Sequence, residues 1–120
     1  MEKAGLLTLA AMRIGIGALS WVRPDLAARL FRLPEPRRET SYLWRLFGVR
    51  DIAIGIGTVS SQGAQRRSWA RFGLACDIAD GAAAALSAKQ GDLPRAGAVA
   101  LVAVPAAAVG FGVWALRPRT

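Results

Sequence analysis

The stretch AGAVALVAVPAAAVGFGVWAL, Ala96 to Leu116, contains no charged residue. A helix needs roughly 20 apolar residues to cross a bilayer, and this run supplies them, so it reads as a transmembrane span. Working outward, Lys89-Gln90-Gly91-Asp92-Leu93-Pro94 before it is a turn, and Arg117-Pro118-Arg119 after it closes the chain at an interface. Three earlier stretches have similar length and composition, at about 4–22, 41–60 and 69–88. The reading is an all-α, four-helix transmembrane bundle, a single integral-membrane domain over 1–120.

The connections carry most of the basic charge. With 16 Lys and Arg against 8 Asp and Glu, the net charge is +8. In a soluble protein such a balance suggests nucleic acid, but no basic recognition motif is present. Here the arginines cluster between apolar runs, where they would meet lipid headgroups. Arg23-Pro24-Asp25 breaks the first span, and Leu26, Leu30 and Leu33 then recur on one face with Arg29 and Arg32 away from it. That pattern predicts a short amphipathic helix lying in the interface between spans one and two, ended by Pro34-Glu35-Pro36. Tyr42 and Trp44 suit the headgroup boundary at the start of span two. The polar run Ser61 to Ser68 reads as a loop. Basic residues divide nearly evenly between the two ends of the bundle, so they do not orient it. The amphipathic segment is assigned to the cytoplasmic side, where anionic lipid would attract it.

Ionisable residues nevertheless fall near the middle of three spans: Arg13, Arg50 with Asp51, and Asp77 with Asp80. A charge at bilayer depth costs about 2.5–3.5 kcal/mol by insertion scales, so it persists where it is paired or lines a wet cavity. Helical spacing puts Ala10, Arg13, Gly17 and Ser20 on one face, Gly48, Asp51 and Gly55 on another, and Gly73, Asp77, Asp80, Gly81 and Ala84 on a third. Small residues allow close helix approach, so these faces should turn inward and bring the five charges together. Glue between helices is the plain reading. A buried ion pair is a poor source of net stability, which favours a catalytic or binding site at Arg13, Arg50, Asp51, Asp77 and Asp80. Pro105 reads as a kink in the last span, with freed space beside the cluster as the alternative. Cys76 reads as a packed thiol.

No histidine and one cysteine remove His-based triads and most zinc sites. One Asp-x-x-Asp pair is too little to argue for Mg²⁺ and diphosphate chemistry. No cofactor and no metal is therefore expected. Two carboxylates beside an arginine can divide acid and base roles. In residue type the set is similar to the site of limonene-epoxide-hydrolase-like enzymes, where an acid protonates the epoxide oxygen and a base activates water. Those enzymes are soluble α+β proteins with no sequence pattern in common with this chain. If the same chemistry applied in this chain, Asp51 and one of Asp77 or Asp80 would form the acid/base pair, oriented by Arg50 or Arg13.

Arg45-Leu46-Phe47-Gly48-Val49-Arg50-Asp51 with Gly55, and Asp77-Ile78-Ala79-Asp80-Gly81, give the chain a wider likeness. On these residues it resembles a group of small four-span membrane proteins of bacteria and fungi. Some fungal members of that group are implicated in epoxide opening or ring closure in polyketide pathways. The resemblance implies an integral-membrane enzyme, in a bacterial inner (plasma) membrane, acting on a lipophilic small-molecule substrate by epoxide hydrolysis or isomerisation. Membrane lipid is the other expected partner, with a homo-oligomer left open and nucleic acid excluded. The competing reading is a non-catalytic small subunit of a larger membrane complex. An ion pathway ranks last, since mid-span arginines repel cations.

Overall fold

The computed structural model describes residues 2–117 and is all-helical. Pro118 and Arg119, read above as part of an interface, lie outside the described residues. Helices α1 (Glu2–Val22), α3 (Arg38–Ser60), α4 (Gly63–Lys89) and α5 (Arg95–Leu116) are long, and α2 (Pro24–Leu30) is a short connector. At 1.5 Å per residue the long helices measure roughly 30–40 Å. By length and hydropathy, two are apolar enough to cross a membrane, over Lys3–Val22 and Arg95–Leu116. The other two, α3 and α4, begin in basic segments and carry the aspartates, which lowers their mean hydropathy.

Two tight helix pairs make up the bundle, α1 along α3 and α4 along α5. Glycine makes the first contact possible. A methyl group on Gly17 would lie 2.5 Å from the Gly48 carbonyl oxygen, and one on Gly48 would lie 2.5 Å from the Gly17 carbonyl oxygen. Both obstacles are backbone, so neither can swing away. Further along, Gly55 fits against Ile14 and the Ala10 carbonyl. Ala10, Arg13, Gly17 and Ser20 are all buried, as are Gly48, Asp51 and Gly55, so the inward faces expected from helical spacing are the ones observed. On α4, Gly73, Asp77 and Ala84 are buried, with Asp80 and Gly81 half-buried.

The two pairs meet most closely at one end, where Leu6, Ala70 and Ala115 form a small apolar cluster. At the other end the segment after α2 reaches across to α5, while α2 itself packs on α1 and α3. Its chain turns back at Arg32, which adopts φ 59°, while Leu33 N–H donates to the Ala28 carbonyl and Arg32 N–H to the Arg29 carbonyl. This is a Schellman helix stop built on a non-glycine residue. It delivers Leu33 against Gly97 of α5.

Three sequence expectations need correction. The run Ser61 to Ser68 is not a loop, because α4 starts at Gly63. Arg66 explains why: its Nε donates to the Thr58 carbonyl at the end of α3, a bond of 3.0 Å that links the two helix ends. In the same way Arg45 caps α1 at Trp21, and Arg67 caps α5 at Leu116. These arginines satisfy the last helical carbonyls, which have no partner within their own helix. Secondly, α2 buries Pro24, Ala27, Ala28 and Phe31 against the bundle, while Leu30 is exposed. Small residues won that face because they allow α2 to lie flat. Thirdly, Trp44 turns inward, with its ring 5.6 Å from Phe31 and 6.0 Å from Phe47.

The glycine seam yields a paired expectation. Gly48→Ala should destabilise the protein by about 1–3 kcal/mol through overpacking. Gly15→Ala, on the same bundle with nothing within 4 Å of the added methyl, should be neutral or gain up to about 1 kcal/mol. Thermal unfolding in detergent distinguishes the two.

Candidate functional site

All five charged residues come together midway along the helices, and the structure divides them into two kinds. Arg13 on α1 reaches across to Asp77 on α4 with two hydrogen bonds, Nη1 to Oδ1 at 3.1 Å and Nη2 to Oδ2 at 2.6 Å. Arg50 on α3 reaches Asp80 on α4 in the same manner, at 3.1 and 2.5 Å. Each guanidinium belongs to the α1/α3 pair and each receiving carboxylate to the α4/α5 pair. These bidentate bonds therefore tie the two halves together, and fork-to-fork geometry makes them the strong kind of charged hydrogen bond.

Asp51 is the fifth member and stands apart. Its Oδ1 lies 3.7 Å from Arg13 Nη1 and 3.8 Å from Arg50 Nη2. Both separations are too long for hydrogen bonds. This oxygen is buried without a hydrogen-bond partner, as is Arg50 Nε. Two guanidinium charges balance two carboxylates, and Asp51 is the carboxyl in excess. Its unsatisfied oxygen is costly to bury.

Local sequence explains the placement. Gly73 lies one turn before Asp77, and a methyl group there would come 2.7 Å from Arg13 Nη2 and 2.9 Å from its Cζ. The missing side chain is the space the guanidinium fills. Sequence reading marked Gly73 as a small inward residue, without linking it to Arg13. Phe47, one turn before Arg50, lies under the second guanidinium, 5.2 Å from ring centroid to Cζ. Such a cation–π contact helps hold a charge away from water.

Asp51, Asp77, Asp80 and Arg13 form one wall of a cavity of about 710 Å³, within the range of small-molecule sites. The rest of its lining is overwhelmingly apolar and comes from all four long helices and the segment after α2. Met12, Leu43, Val104 and Phe111 line it and are also exposed, so its mouths lie on the sides of the bundle. Pro105 also lies on the wall, within an unbroken α5, and faces Gly81 of α4. The sequence alone missed Phe31, Leu33, Trp44 and Phe47 as parts of this site. A clue was available in the spacing of Trp44 and Phe47 from Asp51, which puts all three on one side of α3 at intervals of three and four.

The arrangement can do two things chemically. It can hold an apolar molecule, and it can offer that molecule one carboxyl that no arginine hydrogen-bonds, although Arg13 and Arg50 both stand within ion-pair distance of it. Among the described residues no three His, Cys, Asp or Glu side chains converge closely enough to hold a metal ion; guanidinium groups separate the aspartates. Cys76 is half-buried and not part of the cavity lining.

The pairs should differ in strength. Arg13 and Asp77 have side chains only 6% and 9% exposed, so Asp77→Asn removes the bidentate partner of a buried guanidinium, leaving it only the longer contact to Asp51, and should cost up to about 3–5 kcal/mol. Arg50 and Asp80 are 35% and 29% exposed, and solvent screening should make Asp80→Asn cost clearly less. Gly73→Ala should resemble Asp77→Asn, because it evicts the same guanidinium. Unfolding in detergent, compared across the three variants, checks the order.

Neither the curated proteins nor the solved structures compared with this chain give a match. A family match does exist, and it spans residues 10–116, from the start of the first inward face to the end of α5. All five clustered charges, Gly73 and the cavity-lining residues named above lie inside it. The chain belongs to the family described as Domain of unknown function (DUF4267).

Proposed function

We propose that this is an integral-membrane enzyme that uses Asp51 for acid/base chemistry on a lipophilic small molecule, with epoxide hydrolysis or isomerisation as the reaction. The observation that carries the reading is Asp51, which lines an apolar cavity and makes no hydrogen bond among the described residues, only two longer ion-pair contacts to Arg13 and Arg50. Asp77 and Asp80 each have both oxygens engaged by an arginine. Asp51 is thus the carboxyl free to exchange a proton with a ligand. Arg13 and Arg50 set its position from either side.

In this scheme Asp51, carrying a proton, gives it to the epoxide oxygen as a ring C–O bond breaks. Water attacks the ring carbon and forms the new C–O bond. The surplus proton of that water returns to Asp51, leaving a diol and the starting carboxyl. A hydroxyl within the substrate, attacking in place of water, would close a ring with the same proton balance. General acid/base help of this kind is worth about 10²–10⁴-fold in rate.

Four membrane-spanning helices fit the reading. Large apolar side chains such as Leu46, Ile56, Phe72, Ile78, Val102 and Val113 are exposed on α3, α4 and α5, whereas the interior is mostly glycine, alanine and charge, with Leu6, Leu9, Phe31 and Ile54 the large apolar side chains buried there. That inverted distribution suits a lipid surround, in which close packing of small residues drives association. A bacterial inner membrane is the proposed location. Side mouths would then admit substrate directly from the lipid.

The same charges also support the plainer reading, helix-to-helix adhesion, and the two bidentate pairs serve it. Asp51 serves it poorly, since it makes no hydrogen bond across the halves. The test is turnover of a panel of long-chain terminal epoxides, beginning with 1,2-epoxydodecane, by the protein in nanodiscs, with diol read by mass spectrometry. Asp51→Asn should lower the rate about 100-fold or more while the melting temperature stays within a few degrees. Full activity in that variant, or a panel that the native protein leaves untouched, overturns the epoxide assignment.

A further inference from the structure

The cavity has polar groups at mid-bundle and at its α2 end, and their spacing specifies a ligand. At mid-bundle stands Asp51. At the α2 end the wall contains two hydroxyls, Thr40 at the start of α3 and Ser87 near the end of α4. Elsewhere in the helices Thr8, Ser20, Thr58 and Ser60 each donate to the carbonyl four residues earlier. Ser87 makes no such bond among the described residues, as Ser41 and Ser68 make none, and it lines the cavity half-buried. Between these ends the lining is aliphatic and aromatic, including Trp44, Phe47, Ala83 and Ala84.

Helical rise gives the separation. Eleven residues from Thr40 to Asp51, and seven from Asp80 to Ser87, correspond to roughly 16 and 10 Å along the bundle. An extended chain advances about 1.2 Å per bond, so this span matches about eight to thirteen carbons. Asp51 lines the cavity and accepts no hydrogen bond among the described residues, which calls for a hydroxyl or another hydrogen-bond donor at the near end. Hydroxyls at the far end both donate and accept, so they receive a second polar group.

We propose that the site takes an elongated lipophile with a hydrogen-bond donor at one end and a second hydroxyl or carbonyl about 10–16 Å away, and that Thr40 and Ser87 select for that remote group. This deepens the ligand-site reading above but not its catalytic part, since it concerns binding alone. Thr40 is exposed and Ser87 half-buried, so a ligand lacking the remote group forgoes their hydrogen bonds and loses a modest part of its affinity.

Binding of alkane-α,ω-diols and the matching alkan-1-ols, from six to sixteen carbons, tests it by calorimetry on the full chain in nanodiscs. The expected result is an affinity optimum near eight to thirteen carbons, with the diol about three- to tenfold tighter than the alkanol of equal length. Thr40→Val/Ser87→Ala should erase the diol's advantage and leave alkanol binding unchanged. Asp51→Asn should weaken both. Affinity that climbs steadily with length, equally for diol and alkanol, marks ordinary partitioning of a lipid-like chain and overturns the proposal. So does a diol preference that survives the double variant. A length optimum in a protein that hydrolyses no epoxide upholds this inference and rejects the catalytic one.

Discussion

Two arginine forks gripping two aspartates across a gap organise this molecule. One half of the bundle, α1 with α3, supplies the guanidinium groups of Arg13 and Arg50; the other, α4 with α5, supplies the carboxylates of Asp77 and Asp80. Hydrophobic packing between the halves is sparse, with a cluster of Leu6, Ala70 and Ala115 near one end. Mid-bundle cohesion therefore falls to charge. Desolvation makes isolated buried ion pairs expensive, but bidentate geometry recovers much of that cost. The seam that positions Arg13 and Arg50 relative to each other is glycine against glycine, at Gly17 and Gly48. Backbone contact is stiff, so both forks approach α4 in a fixed register.

The cavity follows from the same constraint. Halves held apart by the width of an arginine–aspartate pair cannot close with small side chains alone, and the space beside the pairs is left to be lined by Trp44, Phe47 and Pro105. Asp51 is what the pairing leaves over. Three carboxylates meet two guanidinium groups, and the geometry assigns the shortage to one oxygen. Chemically similar residues one or a few turns apart are thus engaged differently: Asp77 and Asp80 take bidentate bonds across the halves, and Asp51 takes none.

Much of this was legible in the residue pattern. The inward faces of α1, α3 and α4 followed from helical spacing, because glycine and alanine recur at three and four residues around each charge. Convergence of the five charges followed from their similar depth. Partner choice did not follow. Spacing puts Arg50 about 100° from Asp51 on α3, but which aspartate each arginine takes depends on the rotation of α4, and no single helix encodes that. Composition misled where long side chains fold back. Arg66 bonds to Thr58 and Val59, so a run that looks like a polar loop is the first turn and more of α4. Trp44 has the make-up of an interface anchor, yet its neighbours Phe31 and Phe47 draw it inward. The hydroxyl of Ser87 gave no signal, since serine is as common on helix surfaces as on cavity walls.

Double-mutant cycles on the four pairing residues measure the central claim most directly. Unfolding free energies in detergent should give coupling of about 1–3 kcal/mol for Arg13 with Asp77 and for Arg50 with Asp80. The crossed combinations, Arg13 with Asp80 and Arg50 with Asp77, should give less than half as much. Equal coupling in all four combinations, or none in any, would contradict two discrete bridges between the helix pairs.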